Sequence, residues 1–110
     1  MTEQATGTET PALIGTEYTL ADLTVPATYV SLVDLSAMEA GDVVTLNIYV
    51  AVLSGGTPKS VYTETFNGVQ PPGSVVAISL PVPSLYEWEL TLTQTAAGTP
   101  RAFPWTVLSL

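Results

Sequence analysis

The stretch Val43 to Leu53, VVTLNIYVAVL, constrains this chain more than any other. Val44, Leu46, Ile48, Val50 and Val52 recur at every second position, with Thr45, Asn47 and Tyr49 between them. Successive side chains of an extended strand point to opposite faces, so this period of two predicts a strand with one buried and one wetter face. A helix would scatter the same residues around its axis. The stretch Tyr86 to Thr95 repeats the pattern: Tyr86, Trp88, Leu90 and Leu92 should face inward, and Glu87, Glu89, Thr91 and Thr93 outward.

The rest of the chain has the same character. It holds 17 Thr, 13 Val and 3 Ile in 110 residues, and these stiff β-branched side chains suit a pleated surface. Further runs fall at Glu17 to Asp22, Thr28 to Leu35, Ser60 to Phe66, Val75 to Leu80 and Phe103 to Leu108, with a weaker one near Leu13 and Ile14. Turn residues separate them. Seven to eight short strands predict an all-β fold, an antiparallel two-sheet sandwich of jelly-roll type. Residues 1–11 are rich in Thr, Glu, Gln and Gly with little to bury, which predicts a flexible N-terminal arm on a single sandwich domain of residues 12–110.

Three connections have legible turn chemistry. Ser36 and Glu39 have capping-box spacing for one helical turn, which Gly41 would end, with Leu35 and Met38 plugging its underside. Asp34, Glu39 and Asp42 lie in the same stretch but lack the calcium-loop pattern, so no metal is expected there. Gly68-Val69-Gln70-Pro71-Pro72-Gly73 should be a loop, and Pro81-Val82-Pro83 should end the fifth run.

The chain has neither Cys nor His and carries a formal charge of -8. Disulfides, thiolate or imidazole metal sites and imidazole acid–base catalysis are thereby excluded. No cofactor is expected. Its acidity would repel a phosphate backbone or an anionic membrane, so neither is an expected partner. Residues 1–12 show neither the basic region nor the apolar run of a signal peptide, and no stretch approaches the ~20 apolar residues of a membrane span. Charged residues are only 11% of the chain, against about 25% in ordinary soluble domains. So thin a charged coat points to a surface that meets another chain.

No catalytic residues are expected. Glu87 and Glu89 would point together into solvent rather than across a cleft, and the hydroxyls have no base to activate them. Trp88, Trp105, Phe103, Tyr86, Tyr49 and Tyr62 would allow a sugar-stacking platform, as in a small carbohydrate-binding module, although aromatics in alternating strands more often face the core.

Both basic side chains lie in similar words: Gly56-Thr57-Pro58-Lys59 and Gly98-Thr99-Pro100-Arg101. Gly and Pro predict turns, at hairpin-like connections of the same kind, each with a cation at its end. Lys59 and Arg101 are therefore candidate protein contacts. Arg101 is favoured for its bidentate fork and for the neighbouring Phe103 and Pro104.

Tyr29-Val30-Ser31-Leu32-Val33-Asp34-Leu35-Ser36, the turn through Gly41-Asp42, the long third run, Thr93-Gln94-Thr95-Ala96-Ala97-Gly98 and Phe103-Pro104-Trp105 together resemble small structural proteins of tailed bacteriophages. Some of those decorate capsids as cement proteins. The resemblance spans about residues 18–110 and implies a capsid-surface protein of the virion, made in the host cytoplasm. It also implies partners: the major capsid protein and further copies of itself, with a homotrimer favoured. Within the virion the alternative place is a head fibre or the tail.

Overall fold

The computed structural model describes residues 1–95 and 98–110; Ala96 and Ala97, within the resemblance segment, lie outside them. Among the described residues nine strands form: β1 (Thr2–Glu9), β2 (Glu17–Leu23), β3 (Ala27–Asp34), β4 (Val43–Val50), β5 (Lys59–Asn67), β6 (Val76–Ile78), β7 (Val82–Ser84), β8 (Trp88–Gln94) and β9 (Phe103–Ser109). No helix occurs among the described residues.

The strands make two antiparallel sheets. The first runs β1-β9-β3-β6, with β7 also on the outer edge of β3, and the second runs β2-β8-β4-β5. Only β4 and β5 are neighbours in both sequence and space. The chain changes sheets at nearly every other connection, and with β6 and β7 sharing one position this is the strand order of an eight-position jelly roll. The sandwich expected from the alternating runs is therefore present, measuring 41 × 27 × 19 Å.

The core lies where the alternation puts it. Val44, Leu46, Ile48 and Val50 of β4 and Trp88, Leu90 and Leu92 of β8 are buried between the sheets, facing Tyr29, Val33, Phe103 and Val107. Trp88 and Tyr29 stack at 5.2 Å with planes tilted by 42°, an arrangement that satisfies the ring quadrupoles. Leu35 and Met38 plug the turn after β3 as expected.

Several expectations need correcting. Residues 1–11 are no flexible arm: Thr2–Glu9 pairs along β9 from Thr2↔Ser109 to Glu9↔Phe103. A strand on a sheet edge needs backbone partners more than apolar side chains, and Thr suits it. Leu13 and Ile14 form a turn instead of a strand, and Val82-Pro83-Ser84 forms β7 because Pro83 sits on an edge where no donor is missed. Val52 and Tyr86 leave the alternating pattern, since β4 stops at Val50 and β8 starts at Trp88. The turn at Ser36 is not helical. Asp34 Oδ1 accepts the Ser36 N–H at 2.9 Å and Asp42 Oδ2 accepts the Glu39 N–H at 2.8 Å, so carboxylates two and three residues away replace the expected box.

Candidate interaction surface

Of the four candidate contact residues, three lie near one end of the sandwich and one at the other. Gln94 pairs with Val44 at the start of β4, whereas Lys59 pairs with Val50 at its end. The two Gly-Thr-Pro words are thus not equivalent. The first closes the β4–β5 hairpin inside the second sheet, and Gly55, not Gly56, takes the left-handed conformation there. The second carries the chain from β8 across to β9 in the other sheet, with Gly98 left-handed at φ 75°. The hairpin-like symmetry expected from the words is absent because four similar residues fix a local bend, not the strands on either side.

Arg101 is engaged inside the chain. Its Nε donates to Asp42 Oδ2 at 2.9 Å, and that carboxylate has no exposed surface while the Arg side chain is 25% exposed. Gln94, fully buried at the end of β8, holds the same loop with both ends of its amide: Oε1 accepts the Arg101 N–H at 3.1 Å, and Nε2 donates to Thr99 O at 2.7 Å. The Asp42 backbone carbonyl accepts the Gly68 N–H at 2.7 Å. Asp42 therefore joins three connections: the turn after β3, the loop after β5 and the loop before β9. Its second oxygen, Oδ1, is buried and makes no hydrogen bond among the described residues, so the carboxylate is compensated through Oδ2, by the Arg101 guanidinium and the Glu39 N–H. Phe103 is wholly buried core, and Pro104 is exposed on β9 opposite Thr8.

Lys59 is exposed and makes no salt bridge among the described residues, where Arg101–Asp42 is the only one. It borders a surface that sequence reasoning missed. Val25, Val52, Leu53 and Leu85 are 65–75% exposed, and all sit on loops at the Val50 end. Leu110 lies at this end too, its N–H bonded to Thr28 O. Between these loops runs an open groove of about 450 Å³ lined by Pro26, Ala27, Val50, Val52, Pro83 and Leu85, among others. The sequence does hold a signal for it: Val25-Pro26, Val52-Leu53-Ser54-Gly55 and Ser84-Leu85 place apolar residues inside turns, which are ordinarily polar.

These loops are fixed to the sandwich. The Tyr29 hydroxyl donates to Val25 O, the Ala51 N–H to Glu87 O at 3.1 Å, and the Gly56 N–H to Leu53 O at 2.9 Å. Burial raises the Tyr29 phenol above its ordinary pKa, which keeps it a donor. A surface already held in shape loses less entropy on binding.

The outer face of the second sheet is polar. Glu17 Oε2 accepts from both the Tyr49 hydroxyl and Thr91 Oγ1, each at 2.6 Å, and this carboxylate raises the Tyr49 pKa. Toward the apolar end, carboxylate oxygens of Asp22, Glu87 and Glu89 lie within 4.8 Å of one another. Partial burial, then the Glu87 carboxyl beside it, push the Asp22 carboxyl above its ordinary range. An all-oxygen set of this kind suits only hard cations. Glu87 and Glu89 share one side as expected, but Asp22 of β2 is the neighbour that spacing along a single strand could not reveal.

The aromatic platform is not formed by the tryptophans. Trp88 is core, and the Trp105 ring lies over Gly7 of β1, where an added Cβ would stand 3.1 Å from it. Comparison of the chain with protein-family models, curated proteins and solved structures found no match.

Proposed function

We propose that this chain is a non-catalytic structural protein that docks end-on, through Val25, Val52, Leu53 and Leu85, onto a larger protein assembly. The assembly we infer is the capsid lattice of a tailed bacteriophage, which the chain decorates and stabilises by burying surface across adjacent subunits. One observation carries the reading: large apolar side chains are gathered on loops at one end of a jelly roll, and those loops are pinned by hydrogen bonds. Contiguous exposed apolar surface marks interaction sites. Affinity then comes from a few desolvated anchors, not from total area. Lys59 at the rim offers a cation to an acidic neighbour, the contact first expected of Arg101.

The test is the composition of purified phage particles. Recovery of the chain in the head fraction, in amounts comparable to the major capsid protein, supports the proposal. Absence from the particles overturns it.

A further inference from the structure

We infer that β1 is an exchangeable strand, able to leave the β9 edge of its own chain and occupy the same seat on a second copy. Three features carry this. First, β1 has no side chain in the buried core; Ala5 alone packs partly against it. What holds the strand is its backbone ladder and surface side-chain bonds: Gln4 Nε2 to Ser109 Oγ at 2.8 Å, Thr6 Oγ1 to Trp105 O at 3.0 Å, and Thr6 to Thr106 at 3.1 Å.

Second, the seat is keyed. Only a residue without a Cβ fits easily under the Trp105 ring at Gly7, so a strand arriving from another copy is guided into the same register. The bulge between Glu3 and Ala5 reinforces that register. Every contact of the closed chain is remade in the exchanged one, so the balance rests on association entropy and the hinge.

Third, the hinge is defined. Pro11 is buried and anchors the end of the segment, while Thr10 before it is exposed and held extended by the proline. With Thr2–Glu9 seated on the other copy, Thr10 alone spans the gap, about 3.5 Å. Exchange therefore brings Pro11 of one copy beside Phe103, the start of β9, in the other. A polar, Thr-rich segment that reads as an arm and folds as a strand is what such an exchange requires.

The chain has no cysteine, so one engineered pair gives an unambiguous readout. In Thr6→Cys/Thr106→Cys, oxidation after incubation at high protein concentration should give disulfide-linked dimers or larger species on a non-reducing gel, fading as the protein is diluted before oxidation. Folded variant yielding only internally bonded monomer at every concentration would overturn the inference. So would oligomers in solution without a covalent link between chains, because they associate through another surface. Thr2→Cys/Ser109→Cys, facing residues at the other end of the strand, repeats the test. Should neither pair fold, light scattering of the wild-type chain beside Gly7→Val decides: mass that rises with concentration in the wild type and not in the variant supports exchange, and a strict monomer, or equal association of both proteins, overturns it.

Discussion

Arg101 Nε lies 2.9 Å from Asp42 Oδ2, and this pair, 59 positions apart in the chain, fastens the β8–β9 crossover to the turn after β3. The chain's one guanidinium is therefore a support for the fold. Removing it leaves a buried carboxylate with one oxygen already unpartnered among the described residues. Losing one member of a fully buried pair costs about 3–5 kcal/mol; Arg101 is a quarter exposed, so water can enter and about 2 kcal/mol is expected. Arg101→Ala should show that loss in urea unfolding. Arg101→Ala with Asp42→Asn should recover part of it, because the double variant buries no unpaired charge.

Gln94 gives a related expectation. Its amide satisfies the Arg101 N–H and the Thr99 carbonyl, so Gln94→Ala orphans two backbone groups at about 1–3 kcal/mol for the site. Gln94→Glu keeps the acceptor but loses the donor, and its midpoint should be lowered as well.

Asp22 sets a pH dependence. A carboxyl whose folded pKa is raised binds more protons in the native state than in the unfolded chain, so its contribution weakens as pH rises through the interval above its ordinary value of 3.8. Asp22→Asn removes that penalty. The side chain is exposed, which limits the gain to about 0.5 kcal/mol at neutral pH. Thermal midpoints of the two proteins should differ at pH 7, the variant higher, and converge toward pH 4.

At Gly7 the Trp105 ring leaves no room for a branched side chain. Gly7→Val should loosen β1 without touching the core. Amide exchange in Thr2–Glu9 is expected to quicken, while β4 and β8 remain protected.

What the sequence made legible was the interior of the sandwich. The alternation in β4 and β8 sorted Val44, Leu46, Ile48, Leu90 and Trp88 correctly because burial on one sheet face imposes a period of two. Segments whose stability comes from backbone pairing were misjudged, as with β1, where Thr and Gln resemble a disordered tail. Long-range partners were invisible as well. No local pattern joins Asp42 to Arg101 or Asp22 to Glu87, since crossover loops bring the first pair together and the long-range pairing of β2 with β8 the second. The apolar end was overlooked for a similar reason: Val25, Leu53 and Leu85 are far apart in sequence, and only the jelly-roll strand order places their loops together.

End-on docking through those loops can be measured by equilibrium co-sedimentation with phage heads stripped of the chain. Wild-type protein should saturate at a fixed ratio to the major capsid protein. Leu53→Asp/Leu85→Asp, which alters only exposed positions and should keep its unfolding free energy within about 0.5 kcal/mol of the wild type, should stay in the supernatant. Equal binding by the double variant, or a wild-type chain that never pellets with heads, would contradict it.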